Sequence, residues 1–145
     1  MDLQPKQKTG KSNPGRCWGL SFKGKEVRVI LAGDAKLEFE ELNKIVGEEV
    51  QKGIEQSDYQ TLLRAVNQKI EFLKINPHYG VHIPQDRIPK DYILTYDVNN
   101  LWKVNLPGGW RMIYTLRGSE IEIIALVLDV FEHKAYEKKF GYRKR

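Results

Sequence analysis

The stretch that decides the fold is Leu101–Leu128, LWKVNLPGGWRMIYTLRGSEIEIIALVL. It contains three runs rich in β-branched and aromatic residues, Leu101–Leu106, Trp110–Leu116 and Glu120–Leu128. Short Pro-Gly-Gly and Arg-Gly-Ser sequences separate these runs, and such residues favour tight turns. The C-terminal part of the chain is therefore predicted to form an antiparallel β-meander.

A strand and two amphipathic helices are predicted before the meander. The short strand is Val27–Leu31, and Asp34 and Ser57 are the expected N-caps of the two helices. The predicted buried stripes are Leu37, Leu42, Ile45, Val46 and Val50 in the first helix and Leu62, Leu63, Val66, Ile70 and Leu73 in the second. The first helix should end near Gly53 and the second at Asn76-Pro77, because proline disfavours helix at the residue before it.

The remaining segments complete an α+β prediction. Residues 77–100 contain three prolines without a clear period, so we expect a long ordered connection there. A short helix is predicted from Glu132 to Phe140, with Gly141 ending it. Residues 1–24 are expected to form a flexible basic N-terminal extension, and residues 25–145 one domain. The helices should cover one face of a mainly antiparallel sheet.

Composition excludes several classes of protein. The longest apolar run, Ile123–Leu128, is far shorter than the roughly 18 residues of a membrane span, so no membrane association is expected. Cys17 is the only cysteine, which excludes an intrachain disulfide framework and favours the reducing cytoplasm. His78 and His82 are four residues apart in a proline-containing loop, where solvated histidines are commoner than ligands. No metal, cofactor or small-molecule ligand is predicted.

The positive charge is concentrated toward the two ends of the chain. The chain has 24 basic and 19 acidic side chains, a formal net charge of +5. Residues 1–33 carry seven basic and two acidic side chains, and residues 101–145 carry nine basic and five acidic ones. Residues 34–60, in contrast, carry three basic and eight acidic side chains. Such a distribution is typical of a polyanion-binding face, although a net charge of this size is also ordinary for a soluble domain.

The hairpin around Pro107-Gly108-Gly109 is the candidate for chemistry. Arg111 and Lys103 stand on strands joined by this turn, so they can lie close together on one face if the register allows. Cations beside aromatic rings can grip a phosphodiester and stack a base. The alternative is a structural hairpin whose arginine pairs with a glutamate and whose aromatic residues fill the core.

The element order from about residue 25 to 142 and a set of short motifs resemble the RelE/ParE superfamily of toxins from type II toxin–antitoxin systems. The motifs are Leu106, Gly109-Trp110-Arg111-x-x-Tyr114, an acidic turn, an apolar strand and His133-Lys134-Ala135-Tyr136. The resemblance implies the RelE/ParE-like fold and a metal-independent endoribonuclease that cuts mRNA at the ribosome. It also implies a cognate antitoxin protein as partner.

The resemblance also implies roles for individual residues. Arg111 matches the arginine that contacts the scissile phosphate, and Lys103 supplies a basic group from the preceding strand. Tyr136 would stack on or orient the substrate base, while His133 or Lys134 would act as acid or base, since imidazole exchanges protons near neutral pH. The expected nucleic-acid-binding residues are Lys134, Lys138, Lys139 and Arg143.

Two alternatives remain open within the same resemblance. Members of the ParE branch inhibit DNA gyrase without cleaving RNA, and a third possibility is a catalytically degenerate RNA-binding domain. Glu132 stands near the position where RelE-type sequences often carry a basic pair, and this feature favours the gyrase alternative. The acidic helix at residues 34–52 is a candidate surface for the antitoxin or for self-association.

Overall fold

A mixed β-sheet forms the centre of the structure, a computed structural model that describes residues 21–22, 24–119 and 121–141. Within these residues the strands are β1 (Ser21–Phe22), β2 (Lys25–Leu31), β3 (Val81–His82), β4 (Trp102–Asn105), β5 (Arg111–Gly118) and β6 (Glu122–Phe131). Their order in the sheet is β1-β2-β6-β5-β4-β3. The neighbours β2 and β6 are parallel, and all other neighbouring strands are antiparallel. The predicted α+β class and the antiparallel β4-β5-β6 meander are confirmed.

The helices of the described residues follow the predicted order, with one addition. They are α1 (Gly33–Gln51), α2 (Asp58–Ile75), α3 (Lys90–Tyr96) and α4 (His133–Phe140). The segment 77–100, expected to be an ordered connection, contains β3, a 3-10 turn at Gln85–Arg87 and α3. Of the predicted extension 1–24, β1 and Gly24 are described, and the rest lies outside the described residues.

The helix ends show which local signals were sufficient. The Ser57 hydroxyl accepts a hydrogen bond from the Gln60 amide at 3.1 Å, and α2 ends at Asn76, both as predicted. Asp34 is not an N-cap. Ala32 is the extended N-cap residue of α1, and its methyl side chain cannot make a capping bond. Its carbonyl accepts the Ala35 amide at 3.1 Å, so the helix begins at Gly33 and Asp34 lies inside the first turn.

One face of the sheet is covered by the α1–α2 hairpin. The buried residues on this face are Ala35, Leu42, Leu62, Val66, Leu73, Val104, Leu106, Met112, Tyr114, Ala125, Val127 and Val130. The prediction that Leu37 and Val50 are buried is wrong, since they are 65% and 61% exposed. Two residues correspond to a rotation of about 200° around a helix, so Leu37 lies on the side of α1 opposite to the buried Ala35. Val50 lies in the last turn of α1.

The other face of the sheet is covered by α3, α4 and the chain before β4, so the expectation of helices on one face only is wrong. Its buried residues are Ile83, Ile88, Tyr92, Val98, Leu101, Ile113, Leu128 and Tyr136. Successive strand residues point to opposite faces, so Ile113 contributes to this face while its neighbours Met112 and Tyr114 contribute to the first. The near-continuous apolar runs of β5 and β6 follow from burial on both sides.

A bulge in β6 places an acidic residue under α3. Ile113 pairs with Asp129 and Tyr114 pairs with Val127, so Leu128 is an extra residue in β6. Asp129 consequently lies on the same face as Leu128 and accepts a hydrogen bond from the Tyr92 hydroxyl at 2.5 Å. Burial raises the pKa of Asp129, although the Tyr92 hydrogen bond and the charge of Lys139 oppose this rise. The pKa of Tyr92 is also raised, by burial and by Asp129.

Tyr114 attaches the start of the 77–100 segment to the sheet. Its hydroxyl donates to the Pro77 carbonyl at 2.7 Å and accepts from the Gly80 amide at 3.0 Å. A Cβ at Gly80 would lie 2.8 Å from the Lys103 carbonyl oxygen and 2.9 Å from the Tyr114 ring, so only glycine fits there. The tyrosine of the Gly-Trp-Arg-x-x-Tyr motif is therefore a structural residue.

Replacing Tyr114 by phenylalanine should lower the free energy of unfolding by about 1–3 kcal/mol, since the Pro77 carbonyl and Gly80 amide lose their buried partner. Urea denaturation measures the change. The matched control is Tyr59→Phe, an exposed tyrosine on α2, which should change the free energy by less than about 0.5 kcal/mol. Equal effects of the two substitutions would contradict the role given to Tyr114.

Stability should also fall at alkaline pH, in part through the same tyrosine. Burial raises the pKa of Tyr114 to about 12, from about 10 in an unfolded chain. Because the neutral phenol is the form that folding favours, its contribution is complete below about pH 10 and is lost as the pH rises toward 12. Denaturation curves between these values should show a smaller loss for Tyr114→Phe than for the wild type, and the remaining loss should come from Tyr92 and Tyr96, whose pKa values burial also raises. A loss of equal size in both proteins would refute this assignment.

Candidate functional site

The β4–β5 hairpin places two cations on one face of the sheet. Asn105 pairs with Arg111 and Lys103 pairs with Ile113. Lys103 and Arg111 are therefore diagonal neighbours on the same face, as predicted if the register allowed it. The turn between the strands, Pro107–Gly109, is closed by a hydrogen bond from the Leu106 amide to the Trp110 carbonyl at 2.8 Å.

Tyr136 of α4 lies beneath these two cations. The Lys103 Nζ is 5.4 Å and the Arg111 Cζ 5.5 Å from the centre of its ring, within the range of cation–π attraction. Phe140 stacks on the ring at 4.6 Å and Phe131 contacts it edge-on at 6.0 Å. Tyr136 is only 3% exposed, so these cations and rings cover its aromatic ring.

His133 connects the arginine to a carboxylate. Its Nε2 is 2.7 Å from the Glu137 carboxylate, and its Nδ1 is 3.4 Å from Nη2 of Arg111. A guanidinium only donates hydrogen bonds, so Nδ1 accepts and the ring proton lies on Nε2, facing Glu137. The imidazole is half exposed and therefore accessible from solvent.

Arg111 is held in place by a hydrogen bond to the main chain, and one of its nitrogens is left without a partner within the described ranges. Its Nη1 donates to the Trp110 carbonyl at 3.1 Å, while its buried Nε has no hydrogen-bond partner among the described residues. Within the described part of the chain, neither Arg111 nor Lys103 forms an ion pair. The structural alternative is therefore met in part: Arg111 pairs with no glutamate among the described residues, but Tyr114 is buried in the core and Trp102 and Trp110 pack against it.

The remaining basic residues predicted to bind nucleic acid divide into two groups. Lys134 and Lys138 line a groove of about 690 Å³ together with His133, Glu137 and Gly141. Lys139 lies elsewhere, 3.3 Å from Asp91 and 5.1 Å above the Tyr92 ring, where it contributes to packing on α3. Arg143 lies outside the described residues. The structure brings together Lys103, Arg111, His133 and Tyr136, and it places Lys134 and Lys138 in a groove that His133 also lines.

Glu132, the residue that departs from the family pattern, is exposed at the N-terminus of α4. Burial raises the pKa of Glu38 on α1, and the charges of Glu41 and Glu132 raise it further. The carboxylate of Glu132 is therefore close enough to α1 to affect the pKa of Glu38.

Two contributors to the site were not predicted from the sequence. Gly109 has a φ of 82°, and a Cβ there would lie 3.2 Å from the Cβ of His133, so this glycine permits α4 to begin against the turn. Glu137 holds His133 from one helical turn further along, and the four-residue spacing of an acid from a histidine could have indicated it.

A second aromatic cluster surrounds Trp102 on the opposite face of the sheet. His78 stacks on the Trp102 ring at 5.1 Å, and His82 contacts it edge-on at 4.9 Å. The two histidines predicted to be solvated are thus exposed but packed on a tryptophan. No group of three or more His, Cys, Asp or Glu residues in the described ranges could hold a metal ion.

Comparisons with protein-family models, with curated proteins and with solved structures found no match for this chain. No helix in the described part of the chain is long and apolar enough to cross a membrane. The class that the structure defines is therefore an α+β protein with a mixed sheet and a cationic site at the junction of β4, β5 and α4.

Replacing Gly109 by alanine should displace His133 from Arg111, because the new methyl group would press on the first residue of α4. The matched control is Gly108→Ala: Gly108 also has a positive φ, of 74°, but a Cβ there would meet only Trp110, at 3.7 Å. Both variants should lose about 1–2 kcal/mol of stability through backbone strain. Only Gly109→Ala should move the imidazole signals of His133 in NMR spectra. An unchanged His133 signal in that variant would contradict the packing argument.

Proposed function

We propose that this protein is the toxin of a type II toxin–antitoxin pair, a RelE-like endoribonuclease that cleaves ribosome-bound mRNA without a metal ion. The observation that carries the proposal is the convergence of Arg111, Lys103 and His133 around the buried ring of Tyr136. The mRNA substrate would place the protein in the cytoplasm, with a cognate antitoxin as its partner.

The element order supports the proposal together with the site. The resemblance rests on a strand, a helical hairpin, a three-stranded meander and a short helix, and this order is present from β2 to α4, with β3 and α3 inserted before the meander. The residues of both sequence motifs, separated by more than 20 positions in the chain, contact one another through Arg111 and His133. The motifs therefore contribute to a single site, as a shared function requires.

The chemistry of RNA cleavage fits the charges of this site. Attack of a 2′-hydroxyl on the adjacent phosphorus needs a proton acceptor, a proton donor for the 5′ oxygen and positive charge near the phosphate. Arg111 supplies charge and can bind phosphate in a bidentate manner, because its guanidinium remains protonated. His133 and Lys103 supply proton-exchanging groups, and Lys134 and Lys138 extend the cationic surface along the groove.

Replacing Arg111 by alanine should reduce mRNA cleavage by about 10²–10³-fold, since the charge on the phosphate is lost. The measurement follows growth, translation and mapped RNA ends in cells in which the protein is induced. Arg117→Ala is the matched control, because Arg117 lies on the same strand but donates to the Tyr96 carbonyl, away from the site. Thermal melting of both purified proteins shows whether Arg111→Ala remains folded.

Full toxicity of a folded Arg111→Ala protein would exclude the catalytic assignment. Arg111→Lys provides a second variant, which keeps the charge but loses the bidentate geometry. Its cleavage should lie between that of the wild type and that of the alanine variant. If the wild type and all variants are harmless, the catalytically degenerate RNA-binding domain replaces the proposal.

A non-enzymatic, ParE-like gyrase inhibitor is the second candidate. The covered ring of Tyr136 favours it, because a base could not stack there without displacing Phe140 or the two cations. The exposed carboxylate of Glu132 beside the site also favours it. Under this alternative, translation continues in arrested cells, purified protein inhibits DNA supercoiling, and no new RNA ends form.

A further inference from the structure

His133 occupies the middle of a chain of three side chains from two elements. Arg111 of β5 lies at Nδ1 and Glu137 of α4 at Nε2 of the imidazole. We propose that Glu137 is the positioning residue that makes His133 the general base of the cleavage reaction. This inference rests on the proposed function, and it assigns a role to Glu137 and a single proton role to His133.

The proton positions decide which role the imidazole can take. Since Nδ1 accepts from Arg111, the lone pair of His133 points toward the group expected to hold the phosphate. The 2′-hydroxyl that attacks is attached to the sugar carbon next to the one bearing that phosphate, so it comes to lie near Nδ1 when Arg111 turns to the substrate. A general base needs a free lone pair on Nδ1, which His133 has once Arg111 has turned to the substrate. A general acid would instead need a proton on Nδ1.

The proposed step balances in atoms and charge. The 2′-hydroxyl proton passes to Nδ1 of His133 while the 2′ oxygen forms a bond to phosphorus. The bond from phosphorus to the 5′ oxygen breaks, and the Lys103 ammonium gives this oxygen a proton. The products are a 2′,3′-cyclic phosphate and a 5′-hydroxyl end. The carboxylate of Glu137 offsets the positive charge that His133 acquires, and proton exchange with water then restores both residues.

The surroundings of His133 distinguish this arrangement from an ordinary helical ion pair. A half-exposed pair four residues apart contributes little to stability. Here the charged groups around the imidazole come from two elements: Arg111 of β5 contacts Nδ1, and Lys134, Glu137 and Lys138 of α4 line the groove together with His133. Among the described residues lining the groove, Glu137 is the one carboxylate, so it alone can orient the imidazole against these cations.

The experiment compares Glu137→Ala, Glu137→Gln and the wild type by two readouts. The first is the ¹⁵N NMR signature of the His133 ring, which reports whether Nε2 or Nδ1 carries the proton and needs no catalytic activity. The second is the rate of cleavage of an mRNA on programmed ribosomes, with kcat and KM measured separately. Glu71→Gln is the matched control, because Glu71 is an exposed member of a helical ion pair with Lys74 on α2.

Glu137→Ala should lower kcat by about 10-fold or more with little change in KM, and its imidazole should show a mixture of tautomers. Glu137→Gln should keep the Nε2-protonated form, because its amide oxygen still accepts that proton, and should recover part of the lost kcat. Glu71→Gln should behave as the wild type.

If the wild type cleaves the mRNA and Glu137→Ala has the same kcat, the role of Glu137 is overturned and the proposed function stands. A proton on Nδ1 of His133 in the wild type would overturn its role as base. No cleavage by the wild type, on ribosomes or on free RNA, would overturn the proposed function and this inference together.

Discussion

The parallel pairing of β2 with β6 is the constraint on which the other parts of the structure depend. Its register runs from Glu26 opposite Glu122 to Leu31 opposite Val127. Parallel neighbours cannot be joined by a tight turn, so the chain must cross from one end of the sheet to the other between them. The α1–α2 hairpin begins that crossing and covers the first face. The second face is therefore left for the segments that come later in the chain.

The covering of that second face determines where the site forms. The bulge at Leu128 turns Asp129 toward Tyr92, and the hydrogen bond between them attaches α3 to the C-terminal part of β6. Beyond the bulge, Phe131 also faces this side and contacts Tyr136, so α4 must pack across the end of the β4–β5 hairpin. The cationic residues of that hairpin meet α4 at this point. The position of the site is thus a consequence of sheet topology and of one inserted residue.

Local signals in the sequence were sufficient where the cause itself is local. The Ser57 cap depends on short-range chemistry and was predicted correctly, whereas the shared face of Lys103 and Arg111 was predicted on the condition of a strand register that the structure supplies. The burial of Tyr136 and the exposure of Leu37 were not predicted, because they depend on which elements meet in three dimensions. The bulge was also invisible, since one extra residue in an apolar strand leaves the hydrophobic pattern almost unchanged.

The electrostatics of the site argue for an anionic ligand independently of any resemblance. Lys103 and Arg111 share one aromatic ring and have no ion-pair partner in the described part of the chain, while the carboxylate of Glu137 is connected to Arg111 only through His133. Like charges held together by packing oppose folding, and the rings of Tyr136, Phe140 and Phe131 offset this through cation–π attraction and apolar burial. A ligand that brings negative charge would relieve the repulsion that remains. The two cations would also stabilise the additional negative charge that develops on a phosphate under attack more strongly than the charge of its ground state. Such preferential stabilisation of the transition state is the condition for catalysis.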